Sequence, residues 1–277
     1  MFEIKEKRML TPSICEMEVY APRIAKSAKP GQFLIVRNDE KGERIPLTIS
    51  DYDAVRGTVS IVTQSIGAST AAIVAREPGE CFADVAGPLG IQSEFVDRSA
   101  GDLQGEHYIF IAGGVGAAPV YPQAKWLHSK GISVDVIIGA KAADLLIYTE
   151  KMAAVCDHLY ICTDDGSAGF NGNVTALLED LVSKGNKYTR AVAIGPMVMM
   201  KFSTITARRL NLPVTVSLNT LMVDGTGMCG ACRVTVGGKI RFACVDGPEF
   251  DGYEVDFDEA MRRQKMYLAE EKAAIER

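Results

Sequence analysis

The sequence predicts an antiparallel β-barrel followed by a parallel-sheet α/β unit and a small cysteine-bearing loop. Three observations carry that expectation. Short β-rich runs broken by Pro, Gly and Asp occupy the N-terminal third. Apolar strand-like runs then alternate with helical stretches. Three of the seven cysteines crowd into one glycine-rich segment near the C-terminus.

In the N-terminal third, Ile14–Tyr20, Gln32–Arg37 and Thr58–Gln64 read as strands at hairpin-like intervals. The rhythm then changes. Runs at His107–Ala112, Val134–Gly139, Leu159–Thr163 and Ala191–Gly195 alternate with helical stretches near Ala117–Ser129, Val174–Val182 and Met197–Arg208, the pattern of a parallel sheet with helices on its faces. The polar stretch Asp97–Glu106 reads as a linker. After Val214-Thr-Val comes a loop-rich insert, Leu218–Pro248, and the chain closes with one expected helix from about Asp256 that places Phe257, Met261 and Leu268 on a single face. The expected division is 1–100, 101–217, 218–252 and 253–277.

A chain of 277 residues with 47% apolar and 23% charged side chains can bury more than one core. Its net charge of −5 supplies no broad positive field, so nucleic acid and anionic membrane are poor partners. The opening Met1-Phe-Glu-Ile-Lys-Glu-Lys lacks the pattern of a secretory signal, and no apolar run is long enough to cross a bilayer. A cytoplasmic location is expected. Cys15, Cys81, Cys156 and Cys162 are scattered through strand or helix segments, where a cysteine is ordinarily a small buried hydrophobe. His107, His128 and His158 read as ordinary strand or helix residues, and no nucleophile, triad or acid–base pair stands out.

Cys229-Gly-Ala-Cys232, followed by Cys244, gives C-x2-C-x11-C. The plant-type [2Fe-2S] arrangement is C-x4-C-x2-C with a distant fourth cysteine, and Asp224 stands where the first cysteine would be. Gly225, Gly227 and Gly230 suit a loop that brings backbone N–H groups close to sulfur. A tetrahedral zinc site and three unligated thiols are the alternatives. The spacing, the glycines and the neighbouring nucleotide-binding pattern favour an iron–sulfur cluster.

Tyr108-Ile-Phe-Ile-Ala-Gly-Gly-Val-Gly-Ala-Ala-Pro119 is an apolar strand entering a glycine turn and a helix, so its N–H groups can face a pyrophosphate. Pro119 replaces the third glycine of the dinucleotide fingerprint, and a tight turn without a ligand is the alternative. Arg44-Ile-Pro-Leu-Thr48 sets a cation and a hydroxyl on an extended segment. Gly67-Ala-Ser69-Thr70 opens a helix with capping chemistry that could hold a diphosphate or serve as an ordinary cap.

Taken together these residues resemble the ferredoxin-reductase-like electron-transfer subunits, a group that includes the dihydroorotate dehydrogenase electron-transfer subunit. The resemblance covers nearly the whole chain and also rests on Ala86-Gly-Pro-Leu-Gly90, Asp165-Gly-Ser and Gly195-Pro196. Within that group, Asp224 in the first cysteine position resembles the small subunits of NADH-dependent reduced ferredoxin:NADP⁺ oxidoreductases, also described as sulfide dehydrogenases. In the dihydroorotate branch that position is a cysteine.

The resemblance implies an FAD-binding barrel, an NAD-binding domain and a [2Fe-2S] cluster held by Asp224, Cys229, Cys232 and Cys244. It also implies a larger partner carrying flavin and [4Fe-4S] clusters, through which ferredoxin is reached and electrons can be bifurcated. Arg44, Pro46, Leu47, Thr48 and Gln64 then lie along the flavin, with Gly67, Ser69 and Thr70 at its diphosphate. Gly114, Gly116, Ala117 and Pro119 line the nicotinamide nucleotide site, with Gly139, Asp164, Asp165 and Gly195 around it. The expected activity is an NAD(H)-linked flavin and iron–sulfur oxidoreductase subunit working in a heteromer. A nucleotide- or metal-binding redox sensor without turnover is the reading of a different class.

Overall fold

The structure is a computed structural model that describes residues 1–275. Its first sheet is built from β1 (Phe2–Thr11), β2 (Ile14–Tyr20), β3 (Phe33–Arg37), β4 (Arg44–Asp53), β5 (Thr58–Gln64), β6 (Cys81–Phe82) and β7 (Asp84–Leu89). They run in the order β6-β1-β2-β5-β4-β3-β7 with every pair antiparallel, curling into a nearly closed barrel. Alternate side chains point inward, so Cys15, Met17 and Val19 of β2 join Leu34, Val36, Ile49, Val59 and Ile61 in one apolar core. Helix α1 (Pro22–Ser27) starts on a proline whose missing N–H is no loss there, and α2 (Ala68–Val74) follows Gly67. Strand β1, in which charged residues interrupt the apolar Phe2 and Ile4, carries too weak a β pattern to be expected from sequence.

The stretch expected to be a linker is structured. Ser99 caps the short helix α3 (Ala100–Leu103), Leu103 is fully buried, and just before it Phe95 packs against Tyr108 and Trp126 of the second domain. Apolar Leu103 and Phe95, isolated in a polar stretch, carry no periodicity to betray this.

The second sheet contains β8 (His107–Gly113), β9 (Ser133–Ala140), β10 (His158–Thr163), β11 (Phe170–Asn171), β12 (Arg190–Ile194) and β13 (Val214–Ser217). Helices α4 (Ala117–Ser129), α5 (Thr149–Ala153), α6 (Val174–Ser183) and α7 (Met197–Arg209) connect them. The parallel order β11-β10-β9-β8-β12-β13 reverses direction between β8 and β12, which makes that gap a topological switch point. Strand β8 is buried on both faces. Tyr108, Phe110 and Ala112 enter one core while Ile109 and Ile111 enter the other, which is why it reads as an unbroken apolar run.

The cysteine segment adds the hairpin β14 (Arg233–Val236) and β15 (Lys239–Phe242), the turn α8 (Ala243–Asp246), and β16 (Glu249–Asp251). Strand β16 pairs antiparallel with β13, so the insert closes the edge of the second sheet. The expected single C-terminal helix is a correction. It is two helices, α9 (Phe257–Arg263) and α10 (Leu268–Ile275), separated by a turn. Phe257 is buried and Met261 packs into the chain's own core, whereas Leu268 is exposed, so the three share no open face. Residues 276 and 277 of that expected helix lie outside the described residues.

Candidate functional site

On β4 the pleat separates the expected flavin-side residues into two sets. Leu47 points into the barrel core, while Arg44, Pro46 and Thr48 alternate onto the other face and remain half-buried. Leu47 can therefore offer a ligand only its backbone. Gln64 ends β5 on the neighbouring strand. At the start of α2, Thr70 Oγ1 accepts from the N–H groups of Ile66 and Gly67 at 3.1 and 3.0 Å, and the Ser69 hydroxyl bonds to Glu43. A Cβ on Gly67 would meet nothing, so the backbone there is open to an approaching group.

The switch point gathers the nucleotide-side residues. Gly114 follows β8 with a positive φ of 54°, the left-handed region that glycine tolerates. A Cβ on Gly116 would overlap the Ile194 carbonyl at the end of β12, so only glycine allows the turn to lie against that strand. Gly139 lies next to the last residue of β9 against Val174 and Gly195 follows β12, which places Gly114, Gly139 and Gly195 at the carboxyl edge of the sheet. Open α/β sheets bind ligands at that edge. Ala117 and Pro119 are buried and pack inward, shaping the start of α4 rather than lining its mouth. Asp164 and Asp165 follow β10 and are exposed; Asp165 accepts from the Ser167 N–H at 2.9 Å and hydroxyl at 2.6 Å, which hold its carboxyl below the usual range.

The cysteine loop rests on the barrel wall. Cys232 and Cys244 are buried with Phe33 and Ile35 of β3, and their sulfurs are 3.2 Å apart. Cys229 is exposed. The Ala231 N–H lies 3.5 Å from its sulfur, and this donor, with the N–H groups of Asp224 and Val223, lowers the thiol's pKa. Gly225, Gly227 and Gly230 all have positive φ, the left-handed region that glycine tolerates. Such a sulfur environment fits a thiolate ligand and not a structural core.

Asp224 accepts from the Thr226 N–H at 3.0 Å and from the Thr226 hydroxyl, while its carbonyl accepts from Arg44 at 3.2 and 3.4 Å. Among the described residues no three His, Cys, Asp or Glu side chains converge as a metal-holding group. The structure brings Cys232 and Cys244 together and keeps Cys229 and Asp224 at the open rim of the same loop.

Two polar clusters escaped the sequence reading. Tyr148, in left-handed backbone at φ 64°, sends its hydroxyl from the second domain into the barrel, where it bonds to Glu16 and lies 3.3 Å from Ser50 Oγ. Lys151 adds a 2.5 Å bond to the same Glu16. At the opposite edge of the sheet, buried Asp135 meets His158 at 2.9 Å, His107 at 3.3 Å and Tyr188 at 3.1 Å. Both clusters join residues far apart in sequence, and neither has a local motif.

A barrel joined to a switch-point α/β domain, with a thiolate loop against the barrel wall, defines an electron-transfer module of the ferredoxin-reductase-like fold. The iron–sulfur cluster binding domain of dihydroorotate dehydrogenase B matches residues 219–256. A Thermotoga maritima homolog of the dihydroorotate dehydrogenase B (NAD⁺) electron transfer subunit is 42% identical, over 99% of this chain and 94% of its own. A chain from the structure of an NADH-dependent reduced ferredoxin-NADP oxidoreductase, solved for flavin-based electron bifurcation, superposes with a TM-score of 0.91 at 41% identity, covering 100% of this chain and 97% of that one. A Neisseria gonorrhoeae ferredoxin NADP⁺ reductase with bound FAD and NADP shares the fold at a TM-score of 0.59 and 15% identity, over 75% of this chain and 89% of its own. The chain belongs to the family of dihydroorotate dehydrogenase B-type electron-transfer subunits.

Proposed function

We propose that this chain moves electrons between NAD(H), FAD and a [2Fe-2S] cluster, and on to or from a larger flavin and iron–sulfur subunit. The observation that carries this reading is the bond from Arg44 to the Asp224 carbonyl, which ties the flavin-side strand to the cysteine loop. When bound, the flavin supplies the conversion between hydride transfer and single-electron transfer that a nicotinamide and a cluster require of each other.

The chain's own residues bind, orient and insulate. Arg44, Pro46 and Thr48 present one face of β4 to the flavin, and the open backbone at Gly67 takes the diphosphate. Gly114, Gly139 and Gly195 leave room for the nicotinamide nucleotide at the switch point. Cys229, Cys232 and Cys244 hold the cluster with Asp224 as fourth ligand, and β3 supplies an apolar wall behind it. The bifurcating reductase chain and the Thermotoga maritima homolog match this chain about equally, at 41% and 42% identity, so the choice of the bifurcating branch rests on Asp224 in the first ligand position.

The test is an absorption spectrum before and after NADH, with flavin and iron counted per chain. One FAD and two irons, bleached rapidly by NADH, is the expected result; a colourless, iron-free chain purified anaerobically overturns it. The nucleotide is NADH rather than NADPH, because Asp164 and Asp165 would repel a 2′-phosphate and suit a free ribose hydroxyl. Reduction of bound FAD should be faster with NADH, and a faster NADPH reaction would contradict the assignment. No helix among the described residues is long and apolar enough to cross a membrane.

A further inference from the structure

The Glu249 carboxyl sits where the barrel, the nucleotide helix and the cysteine segment meet. Glu249 opens β16, shortly after Cys244. Its Oε1 accepts from Ser93 Oγ at 3.0 Å and from Gln123 Nε2 at 2.9 Å. Ser93 lies beyond the last barrel strand and Gln123 in the middle of α4, and both are fully buried. From the barrel side, a Cβ on Gly31 would stand 3.0 Å from the same oxygen.

Two observations bear on the state of this carboxyl. The buried Oε1 of Gln123 has no hydrogen-bond partner, a costly omission for an enclosed amide. Among the described residues, no free cation faces the site either. A cavity of about 270 Å³ beside Glu249 is lined by Glu94, Asp97, Asp246 and Asp251, with Tyr253 and Arg190. Arg190 is engaged by Glu94 at 2.9 Å and Glu106 at 3.5 Å. Desolvation, reinforced by the Glu94 charge and opposed by the Ser93 and Gln123 bonds, pushes the half-buried Glu249 carboxyl up to about 7.

We propose that Glu249 is held as the neutral acid and pairs reciprocally with Gln123, so that the seam between the nucleotide helix and the cysteine segment is a proton-dependent junction. The Gln123 amide donates to carboxyl Oε1, and the carboxyl O–H donates to the orphaned Gln123 oxygen. If the amide is turned the other way, the two facing oxygens still require that proton. Because α4 begins at the Gly114–Gly116 turn, the pair sets that turn relative to the strand leaving the cluster loop. A raised carboxyl stabilises the fold while protonated, and this contribution is lost as pH rises through about 7.

Infrared titration of the full-length holoprotein tests the pair. A protonated carboxyl band should persist at mildly acidic pH, vanish around neutrality and be missing in Glu249→Gln. Between about pH 5 and about pH 8, the wild-type unfolding constant should rise about two orders of magnitude more than that of Glu249→Gln. Equal pH slopes, or no band lost with the glutamine variant, would overturn the proposal. Should that variant fail to fold, Gln123→Met keeps the acid and removes its partner; the wild-type band must then shift, and an unshifted band counts equally against the pair. Neither readout needs flavin or nucleotide turnover, so a negative result leaves the electron-transfer reading standing.

Discussion

In the ligand set proposed for the cysteine loop, Asp224 is the one carboxylate among three thiolates. The Thr226 hydroxyl and N–H keep the carboxyl below the usual carboxylate range, so it is ionised and ready to ligate, and Arg44 fixes its backbone. Carboxylate oxygen is a harder donor than thiolate sulfur, so the iron it binds should differ electronically from an all-cysteine site. Asp224→Ala should lower iron content, whereas Asp224→Cys should keep a cluster with an altered EPR spectrum and midpoint potential; wild-type values in both would make the aspartate a bystander. Gly116 poses a different constraint, since an added Cβ would overlap the Ile194 carbonyl. Gly116→Ala should cost about 1–3 kcal/mol of stability through forced backbone displacement, read by denaturant titration. It should also weaken NADH binding, while a variant of unchanged stability would show that the turn relaxes freely.

Between elements, the seam of barrel and second domain is fastened by Tyr148 and Lys151 on one side and Glu16 with Ser50 on the other. Burial raises the Glu16 carboxyl, but the bonds from Lys151 and Tyr148 outweigh it and leave its pKa lowered. A lowered carboxylate contributes stability above the ordinary carboxylate range and loses it as pH falls, so acid should loosen this seam. Tyr148→Phe should cost about 1 kcal/mol, and Glu16→Gln should flatten the acid limb of thermal stability; an unchanged acid limb would show that the cluster is not holding the domains. Strands buried on both faces, such as β8, were legible because Tyr108–Gly113 runs without a charged residue, and the boundaries of α4 follow from its glycine turn. Strand β16 was not legible, for it is three residues long and its partner β13 lies some thirty residues earlier. The broken C-terminal helix misled because Phe257 and Met261 have helical spacing but serve a core.

Across the whole molecule, the cysteines, the glycine turns and the flavin-side strand were each visible as local motifs, yet their relation was not. Only folding shows that Cys232 and Cys244 lean on β3 and that Arg44 reaches Asp224 across 180 residues. This arrangement leaves the outer rim of the loop uncovered, where Met228 is 86% exposed, with Val223 and Val245 also open. Exposed apolar side chains beside a cluster suit a protein partner, because burying them on docking removes water from the path to the next centre. The C-terminal helix offers less, since Phe257 is buried and Met261 packs into the chain's own core. Met228→Asp places a charge on the exposed rim and should leave flavin and iron content unchanged. Co-purification with the larger subunit should weaken by about tenfold or more, since a desolvated unpaired charge costs well over 1.4 kcal/mol. Undiminished association would place the partner's footprint elsewhere on the chain.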